Sequence, residues 1–432
     1  MYCAIDFGTS NSAVAIPDGA GAMRLVELEA GFTTMPTAVF YSVEGRGAAG
    51  PPREFGRAAV AAYVDGVDGR LMRSMKSILG SSLIDQTTDV GGGHGVKYLD
   101  VVAGYLHHLK IRAEAAARGR ITRAVLGRPV FFVDDDPPRD AAAQRALEAA
   151  ARQAGFADIE FQYEPIAAAF DFERGVASEQ VVLVADIGGG TSDFSVVRVG
   201  PGRAAAADRK ADILANHGVH IAGTDFDRRI DLATILPEFG YGAYGPAGPD
   251  GVAREVPSAV YFDLATWHLI NTVYNPLRVA ELRRMRGFYA NAGHHARLMT
   301  VLVGRLGHDL LARAEAAKIA VSEGGDTRID LTRIEPGLAL DLTEGAALRS
   351  LDDDVERIVA TARQTVAQAG LEPARIDALY FTGGSTGLRL LTRRLAAAFG
   401  AARVVRGDRF ASVATGLGLD ARRRFGAPAR SA

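Results

Sequence analysis

Asp186 closes an apolar run and is followed by Gly188, Gly189, Gly190, Thr191 and Asp193 in ADIGGGTSDFSVV (185–197). AIDFGTSNSAVAI (4–16) repeats that order with Asp6, Gly8, Thr9, Ser10 and Asn11. Such residues suit a polyphosphate. Phosphate oxygens need backbone N–H donors at close range, and glycine lets the backbone approach. The hydroxyls of Thr9 and Thr191 add neutral donors. The charge calls for a divalent cation, and Mg²⁺ keeps most of its waters and takes only one or two carboxylates. Asp6 and Asp186 stand where each strand ends, and Asp193 begins a return strand. One Asp-Gly turn by itself reads as a plain β-hairpin. The pair, with a third glycine turn in YFTGGSTGL (380–388), points to two related lobes facing each other across a nucleotide. Glu315, Lys318 and Ser322 in HDLLARAEAAKIAVSE (308–323) share a helix face, where they form a surface ion pair or clasp a ribose and base edge.

These residues need a layered scaffold. Residues 2–6 and 12–16 read as a hairpin, and 35–41 and 121–132 as extended runs. Asp136, Pro137, Pro138 and Gly155 punctuate a helix between them. Residues 157–163 read as a strand, and Pro165 opens an alanine-rich helix. Strands alternating with helices predict an α/β protein. GAGAM (19–23), GVDGR (66–70) and GGGHG (91–95) read as loops. The Gly/Pro/Tyr stretch 238–251 opens a lobe-sized excursion, in which YFDLATWHLINTVY (261–274) reads as a buried helix. With 432 residues, more than one lobe is expected. A net charge of −2 provides no polycationic face for nucleic acid. Cys3, the one cysteine, reads as core filler and excludes an internal disulfide. No signal peptide or membrane span is read, so a reduced cytoplasm is expected.

As a set the motifs resemble the actin, sugar-kinase and heat-shock ATPase superfamily. More narrowly they resemble the ATPase domain of DnaK-like seventy-kilodalton heat-shock proteins, closest to the YegD-type offshoot. Residues 4–15 resemble the first phosphate loop and 185–195 the second, while YEPIAAAF (163–170) resembles the connection between lobes. IAGTDFDRRI (221–230) resembles the entry to a small subdomain, KSILG (76–80) the catalytic-lysine segment, and RAEAAKIAVS (313–322) with FTGGSTGL (381–388) the adenosine site. The resemblance implies a two-lobed actin-like fold of duplicated ribonuclease-H-like lobes around a central nucleotide cleft. Lobe I would span 1–175, with 403–432 returning to it. Lobe II would span 176–402, with a divergent small subdomain at about 223–345.

The resemblance also implies roles. Asp6, Asp186 and Asp193 would surround Mg²⁺ and monovalent K⁺, largely through water. Gly8, Thr9, Ser10, Asn11, Gly188, Gly189, Gly190 and Thr191 would hold the phosphates of ATP or ADP. Lys76 would neutralise the γ-phosphate and help place the attacking water. Glu164 would orient that water, with Thr191 and Asp193 completing the catalytic set, and Glu164 and Pro129 would relay nucleotide state between lobes. Gly223, Glu315, Lys318, Ser322, Gly383, Gly384 and Ser385 would contact adenosine. Two departures stand out: Ile319 replaces an adenine-stacking arginine, and Phe410 an aspartate. Sixteen residues follow Gly416 and end in a basic tail, so no peptide-binding domain is expected. The expected function is a slow ATPase switch related to chaperones, with a protein partner in place of that domain and neither nucleic acid nor membrane as partner. The alternatives are a sugar-type small-molecule kinase and a non-catalytic nucleotide-dependent binding module.

Overall fold

A computed structural model describes residues 1–432 except 20–21, 44–51, 91–92, 134–135, 204–205, 207, 408–411 and 427–432. Phe410, the last residues of the basic tail, the middle of GAGAM and the first glycines of GGGHG lie outside the described residues.

Two sheets share one strand order. In lobe I, Tyr2–Phe7 pairs antiparallel with Asn11–Asp18, which pairs antiparallel with Ala22–Leu25. On the other side of Tyr2–Phe7, Arg123–Arg128 and then Asp158–Tyr163 add in parallel. In lobe II, Gln180–Ile187 pairs antiparallel with Ser192–Val199, which pairs with Ile213–Val219. On its other side, Ala378–Thr382 and then Arg403–Arg406 add in parallel. Parallel neighbours require crossovers. Helix Pro137–Gln153 makes one in lobe I, and Arg389–Ala398 makes one in lobe II. The mixed sheets agree with duplicated lobes of the expected kind.

The central strands are apolar because helices cover both their faces. Cys3, Ala4, Ile5 and Phe7 are fully buried, as are Val182, Leu183 and Ala185. Burial pushes the Cys3 thiol up to about 12, so it is inert filler. Helices Glu164–Glu173 and Ser412–Phe425 form a floor between the lobes. Their Ala167, Ala168, Leu417 and Ala421 pack with Ala4 and Val125 of one sheet and Val182 and Val184 of the other. The two helices touch at Gly416, where a Cβ would overlap the Ala167 carbonyl.

The helix after Asp136 forms as its punctuation predicts. The Asp136 carboxylate accepts from Arg139 N–H at 3.1 Å, and Gly155 takes φ +97 beyond the far end. Several expectations are corrected. The strand expected over 121–132 covers only Arg123–Arg128, because Pro129 has no N–H to continue the ladder. Residues 35–41 split into Thr34–Pro36 on the lobe I sheet and Ala38–Ser42 in a separate three-stranded sheet. Gly69 and Arg70 belong to strand Gly69–Arg73 rather than a loop. The helix expected over 261–274 breaks into Ala259–Leu264 and a 3₁₀ segment, Ile270–Tyr274. Arg403–Arg406 is an edge strand of lobe II, so the return to lobe I starts with Ser412–Phe425 and not at 403. Among the described residues, no helix is long and apolar enough to cross a membrane.

Candidate functional site

Each hairpin ends in a four-residue connection, 8–11 in lobe I and 188–191 in lobe II. The carbonyls of both tips are tied back to their own lobe. Thr37 donates its hydroxyl to Gly8 O at 2.8 Å and its N–H to Ser10 O at 2.9 Å. In lobe II, Ser385 Oγ donates to Gly188 O at 2.7 Å, and Thr224 Oγ1 donates to Gly189 O at 2.8 Å. Among the described residues, no partner takes the N–H groups of Thr9, Ser10, Gly189 or Gly190. Unpartnered backbone donors are rare unless water or a ligand meets them. The tips also meet: a Cβ built on Gly189 would stand 2.9 Å from Ser10 Oγ. Gly190 has open space beside it.

Carboxylates gather beneath the tips. Asp186 faces Asp193 directly across the second hairpin, and Thr191 Oγ1 donates to Asp193 Oδ2 at 2.8 Å. Lys76, on the 3₁₀ turn Met75–Ile78, bonds Glu164 at 2.5 Å, where Glu164 opens the floor helix. Asp6 and Asp186 are half-buried and Asp193 keeps accessible surface, yet all three lie deep in the cleft, where protein displaces most surrounding water. Burial, then Glu164 and Asp186, push Asp6 up to about 8 against the pull of Lys76. Burial, then Asp193 and Glu164, push Asp186 up to about 7. Burial raises Asp193 too, against the Thr191 hydrogen bond. Burial pulls Lys76 down, but Glu164, Asp6 and Asp186 together hold it above its ordinary value.

Asp6, Asp186, Asp193 and Glu164 thus share one cleft with the single ammonium of Lys76. That excess of hard oxygen donors fits a divalent cation. Among the described residues, no three His, Cys, Asp or Glu side chains stand close enough to hold a metal directly. Hard carboxylate oxygens suit an ion such as Mg²⁺, which takes one or two of them and keeps its waters.

The other expected residues lie on the lobe II side. Gly383 takes φ +86 and passes so close to the second hairpin that a Cβ would stand 2.6 Å from Asp186 Oδ1. Gly384 and Ser385 follow in a 3₁₀ turn. A Cβ on Gly223 would meet Ser385 Oγ at 2.5 Å. Lys318 reaches Gly223 O at 3.4 Å and pairs with Asp227 at 2.6 Å, so the surface pair with Glu315 does not form. Ser322 turns its hydroxyl onto Ile319 O at 2.7 Å, and Ile319 is half-exposed. Lys318 and Ser322 line a cavity with Ile230, Leu351, Leu388 and Arg389. None of the tip glycines or cleft carboxylates lines it. Glu315 faces lobe I, where burial lowers Arg73 and the Glu315 charge offsets part of that lowering.

Sequence reading missed the supports. Thr37 holds the first tip from outside the motifs, and Thr224 holds the second from inside IAGTDFDRRI, where the sequence signals no such role. Gly218 makes room for Asp193, since a Cβ there would stand 2.5 Å from Asp193 Oδ1. Gly127 makes room for Glu164, whose Oε1 would lie 3.2 Å from a Cβ. Only the glycines carried a signal, as bare positions inside β-rich runs.

The family model described as Hsp70 protein matches residues 2–240. The chaperone protein HscA homolog of Aromatoleum aromaticum is 26% identical over 434 residues, covering 96% of this chain and 57% of that protein. Its namesake in Laribacter hongkongensis is 30% identical over 391 residues, covering 85% of this chain and 58% of that protein. Its namesake in Methylobacillus flagellatus is 33% identical over 243 residues, covering 52% and 36%. The chain thus spans less than three fifths of the length of these relatives.

Proposed function

The chain belongs to the Hsp70 family, and from that premise we propose that it binds and hydrolyses adenine nucleotide in the cleft between its lobes. The observation that carries this reading is the convergence of two glycine tips with unpartnered N–H groups, one from each lobe, above Lys76 and the carboxylates. The N–H groups of Thr9, Ser10, Gly189 and Gly190 hold phosphate oxygens. Gly383 lets the third glycine turn close on the second tip, and Lys318 and Ser322, on helix Gly307–Glu323, contact the adenosine. Asp6, Asp186 and Asp193 would hold Mg²⁺, which would supply positive charge to the phosphates when bound.

Hydrolysis by this chain is a matter of positioning and charge. Lys76 neutralises the terminal phosphate. Glu164, hydrogen-bonded to Lys76, orients water for in-line attack. Thr191 fixes the Asp193 carboxylate toward the same locus. Because Glu164 starts the floor helix, its hydrogen bond ties the state of the cleft to the joint between lobes. The named chaperone relatives fit a nucleotide-driven switch acting on a protein partner.

Calorimetric titration with ATP and ADP, with and without Mg²⁺, tests binding, and steady-state phosphate release tests hydrolysis. Lys76→Ala should retain nucleotide and lose turnover by about 10²–10³-fold, the loss expected for one aligned charge-stabilising group. Absence of Mg²⁺-dependent binding by the wild-type protein would overturn the reading.

A further inference from the structure

Among the described residues, the non-glycine positions with positive φ are Ser74, Arg118 and Arg305. Arg118 and Arg305 stand just after helices Tyr98–Ala117 and Ala292–Gly304, where a left-handed residue commonly ends a helix. Ser74 has no helix to end. It follows strand Gly69–Arg73 and opens the 3₁₀ turn Met75–Ile78, with φ +53 and ψ +37. A β-carbon makes this conformation costly, and it persists only where the surroundings impose it. The Ser74 side chain does not account for it, because that side chain is exposed and makes no cap hydrogen bond to the turn.

What the backbone at Ser74 achieves is a change of direction. Met75, directly after it, is fully buried in the lobe I core, and Leu79 is buried in the same core. Between them Lys76 reaches the other way, into the cleft, where Nζ bonds Glu164 at 2.5 Å. The turn is held on its near side through the Ser74 carbonyl, which accepts the Ser77 N–H at 3.1 Å and the Ser77 hydroxyl at 2.7 Å. It is held on its far side through the Gly80 carbonyl, which accepts Arg139 Nε at 3.1 Å and Nη2 at 2.9 Å. With both sides fixed, the aim of Lys76 depends on the backbone setting at Ser74. An extended or right-handed residue there would send the chain out of the strand in another direction. Burial of Met75 would then conflict with the Lys76–Glu164 bond.

We propose that Ser74 is a positioning residue, whose left-handed backbone aims the Lys76 ammonium at Glu164 and thereby sets the rate of hydrolysis. The kinetic half of this proposal rests on the nucleotide reading of the cleft, whereas the aiming of Lys76 is a property of lobe I by itself. Two measurements separate them. The chain has five lysines, at 76, 97, 110, 210 and 318, so labelling with ε-¹³C-lysine gives five signals by nuclear magnetic resonance, and Lys76→Arg identifies one of them. Valine, being β-branched, resists positive φ, while glycine and asparagine accept it. In nucleotide-free protein, Ser74→Val should move the Lys76 signal toward that of exposed Lys97, with far-ultraviolet circular dichroism unchanged. Ser74→Gly and Ser74→Asn should leave the signal in place. A Lys76 signal that stays put in Ser74→Val, or moves equally in Ser74→Asn, overturns the proposal whatever the protein binds. The second measurement is steady-state phosphate release from Mg²⁺ATP. Ser74→Val should lower kcat by about tenfold through misplacement of one charged group, with KM near wild type, and Ser74→Asn should restore kcat. Equal kcat in Ser74→Val and wild type also overturns the proposal. A wild-type protein that releases no phosphate sinks the hydrolytic reading instead, and the lysine signal still decides whether Ser74 aims Lys76.

Discussion

The two hairpins at the cleft share register but not equipment. Aligned by their pairing, Asp6 corresponds to Asp186, Gly8 to Gly188, Asn11 to Thr191 and Ala13 to Asp193. The Thr-Ser pairs that make the sequences look alike are therefore not equivalent. Thr9 and Ser10 occupy the first tip, where the second has Gly189 and Gly190. Ser192 already pairs with Ile187 inside the ladder. The larger difference is electrical. The first hairpin places a neutral Ala13 across from Asp6, while the second places Asp193 across from Asp186. Like charges directly opposite one another destabilise a hairpin. Lobe I has no such pair and contributes the Lys76–Glu164 bond instead. Lobe II brings Asp186 and Asp193, while lobe I brings Asp6 and Glu164 together with the Lys76 ammonium that meets them.

The strongest way to break this comparison is to make the second hairpin resemble the first. Asp193→Ala removes the facing carboxylate. Phosphate release should fall by about 10²–10³-fold, while Tm of the ligand-free protein rises by about 1–2 °C as the repulsion goes. Unchanged turnover would mean that the electrical asymmetry has no catalytic meaning. Equivalent glycines give the next test. A Cβ on Gly8 would overlap the Asn11 carbonyl, whereas one on Gly188 would stand 3.8 Å from Thr191 O. Gly8→Ala should cost about 2–3 kcal/mol in urea unfolding, and Gly188→Ala no more than about 0.5 kcal/mol. Equal costs would show that the tips are interchangeable after all.

Proton linkage gives a smaller effect with a defined sign. Asp6 and Asp186 are raised to about 8 and about 7, chiefly by burial. The folded state keeps protons that the unfolded chain loses near pH 4, so unfolding releases protons between those values. Stability of the nucleotide-free protein in chelator should therefore decline as pH rises from about 4 to 8, by a few degrees in Tm. Asp6→Asn should remove more of that slope above pH 7 than Asp186→Asn does, because its proton leaves later. Mg²⁺ with ADP should flatten the slope, since a cation then occupies the place of the protons. A Tm that climbs with pH under chelating conditions would contradict the burial of these carboxyls.

Much of this was legible because the chemistry is local. Gly188–Gly190 between an apolar strand and Asp193 specify a turn, a close approach and a charge within one short segment. The helix after Asp136 was legible for the same reason. What escaped depends on distant chain. Thr37 supports a tip that is 29 residues earlier in sequence, and nothing near Thr37 marks it as a phosphate-loop support. Trp267 has helical spacing around it, yet its partners are Tyr63 and Arg73, and tertiary stacking overrode the local period. Lys318 found Asp227 rather than Glu315 because helix Gly223–Ile230 packs against its face, a neighbour that spacing along one helix cannot disclose.

The smallest effect concerns a feature that lobe I does not have at all. Ile319 lies half-exposed between Lys318 and Ser322, where the resembled family carries an arginine. An aliphatic side chain covers a base by contact alone, whereas a guanidinium over an aromatic face adds about 0.5–1 kcal/mol at an exposed site. Ile319→Arg should therefore tighten ADP by about two- to fivefold in calorimetry. The control is Mg²⁺ tripolyphosphate, which has charge but no base. If the variant binds tripolyphosphate tighter by the same factor, the arginine acts through charge. If only ADP gains, the base lies against this helix, and the lobe II side alone provides its recognition.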